Sequence, residues 1–216
     1  MREFFLRLWI AVAGFFTYWY LKLHVYKTWS NIYRWLYERK YKGVVIPTFT
    51  SLHEIAKLLD GKKWRADGFL QLFDVISTPE RAYQLLSGKE LPKQALDCDE
   101  FMILTVHAIQ DSLFNNDEFF KNEPRLIDAM CLTVTWVELN TGKAGGHNVA
   151  LLITSGGERN TPLYTYMDYG MPTLEPKKTI EEVVEYIRNK YSKGPWTGLC
   201  FALSELDLTP TKVVRG

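Results

Sequence analysis

Gln94-Ala-Leu-Asp-Cys98-Asp-Glu-Phe-Met-Ile-Leu-Thr-Val-His107 sets a cysteine between a polar break and an apolar run. Asp97 is a good N-cap, and Asp99 and Glu100 fall in the first turn, where carboxylates suit the positive end of the helix dipole. The pattern predicts a helix from Cys98 to about Phe114, with the thiol at its first position. Unpaired N–H groups there favour the thiolate, the nucleophilic form. Asp97, Asp99 and Glu100 work against it, since three like charges beside the sulfur push its pKa up. A reactive thiolate at Cys98 therefore needs a cation from elsewhere, and histidine is the usual source.

Four histidines are available: His24, His53, His107 and His147. His24 lies in an aromatic N-terminal arm and His53 in a short upstream helix. His107 is nine residues along the same helix as Cys98, about 13 Å away at 1.5 Å per residue, and cannot reach the sulfur. His147 opens a strand directly after Gly145-Gly146, where small residues leave room beside the ring. A histidine at a strand end is ordinarily structural, but pairing changes the expectation. Strands over 147–154 and 163–169, joined in a hairpin about Gly156-Gly157-Glu158-Arg159, set Asp168 opposite His147. Facing side chains in such a pair are about 5 Å apart at Cβ. Asp168 would then accept a proton from one ring nitrogen and leave the other to face a thiol. A two-residue slip in register keeps both on one face; a one-residue slip separates them.

The remaining chain follows the same contrast of helix first and sheet afterwards. Val44-Val-Ile46 is a β-like run before Pro47. Ser51 caps a helix over Leu52–Leu59 with Glu54 at capping-box spacing and Gly61 as terminator. Phe69–Phe73 is apolar, and Pro79 suits the first turn of a helix over Glu80–Leu86 capped by Thr78. From Ala129 the period changes to strand alternation, through Leu139, then His147–Thr154 and Leu163–Tyr169. Gly145-Gly146 and Gly156-Gly157 read as hairpin turns. Thr179–Tyr191 is an amphipathic helix, and Trp196–Leu206 is expected to be the last strand. These segments predict an α+β domain over 44–216.

Residues 1–43 are set apart as an aromatic-rich helical arm, one long helix or two in succession. Leu8 to Leu21 is a run of fourteen uncharged residues. A membrane span needs about 20 apolar residues, somewhat more than this run supplies. Arg7 and Lys22 could snorkel, and interfacial Trp and Tyr are typical of membrane boundaries. A cleaved signal peptide fits poorly, because no small-residue cleavage site follows the run. The competing reading is an arm that packs on the domain or on a partner, so membrane contact and self-association through residues 1–42 both stay open.

Composition narrows the chemistry. A net charge of +1 argues against a nucleic-acid binder that relies on a strong basic field. Three widely spaced cysteines make neither a disulfide scaffold nor a zinc module, and no His/Cys/Asp cluster has ligand spacing, so no metal and no cofactor is expected. Cys131 and Cys200 lie in apolar runs and read as core residues. A reducing compartment follows, cytoplasmic or at a membrane.

Asp97-Cys98-Asp99-Glu100-Phe101, Gly146-His147-Asn148-Val149 and Tyr166-Met167-Asp168-Tyr169, in that order, resemble the transglutaminase-like cysteine peptidase superfamily. Phe73-Asp74-Val75-Ile76-Ser77-Thr78-Pro79-Glu80 looks like the segment that often precedes the cysteine in bacterial and phage members. The resemblance covers about residues 60–170. It implies a papain-like architecture, a helix carrying the cysteine packed on an antiparallel sheet carrying His and Asp. It also implies Cys98 as nucleophile, His147 as base and acid, and Asp168 as orienter. The expected activity is a thiol-dependent hydrolase, a cysteine peptidase or amidase, acting on a protein or peptide. The alternatives are a transglutaminase handing the acyl group to an amine, and a non-catalytic binding protein of the same fold. For the oxyanion, the Cys98 N–H is one donor, with Gln94, Trp64 or Tyr83 as candidates for a second.

Overall fold

The longest strand among the described residues, β1 (Leu126–Glu138), occupies the middle of a five-stranded antiparallel sheet. Its alternation sends Leu132, Val134 and Trp136 to one face and Ala129, Cys131 and Val137 to the other, and both faces are covered. The computed structural model describes residues 2–22, 35–60, 78–87, 97–156, 161–206 and 208–216. The other strands are β2 (Ala144–Ser155), β3 (Pro162–Met167), β4 (Trp196–Ser204) and β5 (Pro210–Arg215), in the order β3-β2-β1-β4-β5. Helices among the described residues are α1 (Arg2–Lys22), α2 (Leu52–Leu59), α3 (Pro79–Ser87), α4 (Cys98–Asn115), α5 (Asp117–Asn122) and α6 (Ile180–Tyr191), with a further helical stretch over 35–40. The α+β expectation holds.

One face of the sheet carries α4, whose Ile103, Leu104, Val106 and Ile109 are wholly buried. Each fully buried aliphatic side chain of this kind is worth about 1.5–3 kcal/mol. Leu52, Ile55 and Leu59 of α2, Ala82 and Leu86 of α3, and Leu21 of α1 join the same core. The opposite face carries α6 through Val183, Val184 and Ile187. The two layers meet around Arg188, which bonds the carbonyls of Thr135 and Cys200 where the β1–β4 register shifts. Gly198 leaves it room, since a Cβ there would come within 2.3 Å of the guanidinium.

Two N-caps fall where the sequence places them, Ser51 accepting from the Glu54 N–H and Thr78 from Arg81; Thr179, read as helical, is instead the cap of α6 and accepts from Glu182. Three expectations need correction. Val44–Ile46 forms no strand, and Val45 is exposed; a three-residue run before Pro47 has no sheet edge to pair with. Gly145 and Gly146 lie inside β2, not in its turn, and Gly145 is required because a Cβ would strike the Trp136 ring at 2.6 Å. The last strand is β5, not β4. Pro210 opens it and Lys212 and Arg215 punctuate it, features that read as a tail yet suit an edge strand. Gly61 and the run 69–73 lie outside the described residues, as does 23–34.

α1 packs across β4 and β5, with Ile10, Ala13 and Tyr18 against the core. Trp9 Nε1 donates to the Gly142 carbonyl at 3.0 Å, and the Arg215 guanidinium lies 4.4 Å from the Tyr18 ring centre.

Candidate active site

α4 begins at Cys98 because its first turn closes on itself. The Asp97 carboxylate accepts the backbone N–H of Asp99 at 3.0 Å and that of Glu100, while Glu100 Oε2 accepts the Asp97 N–H at 3.0 Å. This reciprocal box fixes the turn that carries the sulfur. It also answers part of the electrostatic objection raised by three acids beside a thiolate. The other Glu100 oxygen binds Arg81 Nη1 of α3 at 3.0 Å, and both side chains are buried. The guanidinium thus offsets one of the three charges.

Asp99 faces the sulfur. Its Oδ1 lies 3.8 Å from Cys98 Sγ, with the thiol donating, and also takes a close hydrogen bond from Asn148 Nδ2. That amide nitrogen is itself 3.7 Å from Sγ. Asn148 Oδ1 is buried with no hydrogen-bond partner among the described residues. The amide keeps this orientation because turning it over would aim its oxygen at the Asp99 carboxylate. Sequence reading passed over Asn148. Applying strand alternation to β2 would have found it, since Asn148 has the parity of Ala150 and Leu152, which face α4.

His147 has the other parity, that of Val149 and Leu151 on the α6 side. Its Nε2 lies 3.2 Å from Asp168 Oδ1, as the hairpin argument requires, though by a different register. β2 and β3 pair from Ala150–Met167 to Ser155–Pro162, two residues away from the register that sets 147 opposite 168. The even slip preserves the face. Asp168 sits just past the end of β3, and the chain turns there through Tyr169, whose φ is 53°. Tyr191, the last residue of α6, donates its hydroxyl to Asp168 Oδ2 in a short bond, and its ring lies 4.1 Å from the imidazole between centres. Burial first, and then the bond to Asp168, push the Tyr191 hydroxyl far above its ordinary range, so it stays a neutral donor. Burial does the same to Tyr169, reinforced by the charges of Cys98 and Asp168.

Cys98 and His147 border one cleft at an edge of the sheet. β3 leaves β2 after Met167, so among the described residues β2 from Val149 back to Ala144 has no strand neighbour on that side. A cleft of about 660 Å³ opens here, lined by Cys98, His147 and Asn148, and by Phe16 and Tyr20 of α1. Residues of both strand parities line it.

Of the other candidates, Gln94 and Trp64 lie outside the described residues. Tyr83 packs against the main core. Glu138, the acid at the end of β1, accepts the Lys193 N–H at 3.1 Å and the Thr141 hydroxyl at 2.9 Å. Those two bonds hold its carboxyl below the usual range. Cys131 and Cys200 are buried, and burial pushes the Cys200 thiol up. The sulfur of Cys98 and one oxygen each from Asp97 and Asp99 lie within 4.8 Å of one another, close enough to hold a cation. Both carboxylates, however, already engage N–H donors.

The Asp99 charge is the one most directly opposed to a Cys98 thiolate. Asp99→Asn should speed alkylation of Cys98 by iodoacetamide at neutral pH roughly tenfold, measured by mass spectrometry over time. An unchanged rate would show that the Asn148 amide already cancels that charge.

No family model matches the chain, and no curated protein and no solved structure matches it either.

Proposed function

We propose that the protein is a thiol-dependent hydrolase of the transglutaminase-like cysteine peptidase kind, cleaving an amide bond in a protein or peptide. The observation that carries the reading is the convergence of Cys98, at the start of a helix, with a buried His147–Asp168 pair on one cleft. With Nε2 held by Asp168, Nδ1 is the ring nitrogen left to take the thiol proton. The sulfur then attacks the amide carbonyl carbon, and the carbonyl oxygen gathers negative charge beside the Cys98 N–H. Collapse of that adduct expels the amine, which leaves with the proton from His147, and a thioester remains on Cys98. Water, deprotonated by the same imidazole, attacks the thioester and releases the acid. An amine in place of water would give a transamidase by the same steps.

A specific observation favours a second reading, a non-catalytic binding protein. The Cys98 thiol donates to Asp99, while the imidazole packs at a tilt against the Tyr191 ring. Thiol mapping separates the two. In the catalytic reading, iodoacetamide modifies Cys98 well before Cys131 and Cys200, with a rate that follows deprotonation at neutral pH. Cys98 reacting only in strong alkali, like an ordinary thiol, would leave the binding reading.

A further inference from the structure

The outer face of α1 has no explanation in the hydrolase reading. Phe4, Phe5, Leu8, Trp9, Val12, Phe15, Phe16, Trp19 and Tyr20 are all exposed, several above 50%. At 3.6 residues per turn these nine side chains fall within one arc of about 160°. The residues of the complementary arc, Leu6, Ile10, Ala13, Gly14, Thr17 and Leu21, are the ones turned toward the domain. The helix is therefore apolar all round, with one side covered by the sheet and the other open. Glu3–Lys22 is long and apolar enough to cross a membrane, but a helix docked along β4 and β5 presents only its flank.

Charge selects the occupant. Residues 1–42 hold eight basic and two acidic side chains, a balance of +6. The whole chain is +1, so the remainder carries −5. A second copy of this chain would bring the same basic segment against itself, whereas an anionic bilayer complements it. Trp9, Tyr18, Trp19 and Tyr20 are the residue types that settle at the headgroup level, and Arg7 and Lys22 flank the uncharged run.

We propose that α1, while docked on the sheet, lies in the plane of an anionic membrane surface and sets the cleft at that surface. Phe16 and Tyr20 belong both to the exposed arc and to the cleft lining, so the cleft mouth borders the lipid-facing side. Its substrates are then proteins or peptides held at the bilayer. This last step rests on the cleft being the reaction site; the membrane contact does not.

The test uses the full chain with vesicles of phosphatidylcholine alone or with phosphatidylglycerol. The expected result is co-sedimentation with the anionic vesicles, at least about tenfold weaker on the neutral ones and falling with salt. Trp fluorescence should be quenched by lipids brominated near the headgroup end of the acyl chains, and alkaline carbonate should release the protein. Leu8→Glu with Val12→Glu, at the centre of the exposed arc and outside the cleft, should abolish binding while the melting temperature holds. Equal binding to both vesicle types, or none, overturns the proposal. So does resistance to carbonate, which marks a spanning helix, or a vesicle-independent dimer lost in the double variant. Vesicle binding by a Cys98→Ala protein keeps this outcome distinct from any failure of the hydrolase reading.

Discussion

Asp168→Asn should slow alkylation of Cys98 at neutral pH by about 10- to 100-fold, as should His147→Ala. A tenfold change corresponds to about one pKa unit in the thiolate equilibrium. The asparagine keeps the shape of the site and can still accept from one neighbour. It removes the charge that would stabilise an imidazolium, and its amide can enforce the wrong ring tautomer. Without that cation the thiolate faces Asp99 with only the Asn148 amide and the helix start to support it. The double variant should be little worse than His147→Ala alone, because residues that act as a unit do not add. Additive effects, or an unchanged rate in Asp168→Asn, would show that the buried pair serves the α6 contact with Tyr191 and not the sulfur. Far-UV circular dichroism on each variant guards against unfolding, which would expose Cys131 and Cys200 to the reagent as well.

That experiment bears on the part of the site that the sequence conveyed only by parity. His147 and Asp168 share a face whichever even register the hairpin adopts, so their contact survives a two-residue error. The exact register depends on the turn between β2 and β3, where Gly156 takes a φ of 147°, and glycine pairs there are compatible with several loop lengths. The first turn of α4 was legible in full, because capping is a local exchange between Asp97 and Glu100. Asn148 was not, because its role depends on which face of β2 meets α4, a tertiary fact. Arg81 was equally hidden: it lies nineteen positions before Glu100, and no periodic pattern links an arginine in one helix to a glutamate in another. The position of α1 was ambiguous for a plainer reason. A helix apolar on every side looks the same in sequence whether a sheet or a lipid covers it.

Arg81→Met should destabilise the fold by about 3–5 kcal/mol, the usual penalty when one partner of a buried ion pair is removed. The geometry justifies the upper part of ordinary substitution effects. Glu100 is completely buried and Arg81 is nearly so, so Glu100 would be left without the cation that binds it at 3.0 Å. Glu100 also accepts the Asp97 N–H, so the strain would pass into the turn that carries Cys98. Two measurements follow. Urea unfolding should show a lower midpoint with an unchanged slope if the native state keeps its compactness. Below the unfolding transition, Cys98 alkylation should slow, since the charge of Glu100 would no longer be offset beside the sulfur. Arg81→Met combined with Glu100→Gln should regain part of both losses. The neutral amide removes the orphaned charge, and its oxygen can still accept the Asp97 N–H. If the pair of substitutions is no better than Arg81→Met alone, the arginine acts by packing against Tyr37, whose ring lies 4.6 Å from the guanidinium, and not by balancing Glu100. The direction of the alkylation change decides between those causes even where the stability values coincide. Lost packing leaves the charge at the nucleophile as it was, whereas an uncompensated carboxylate disfavours the thiolate.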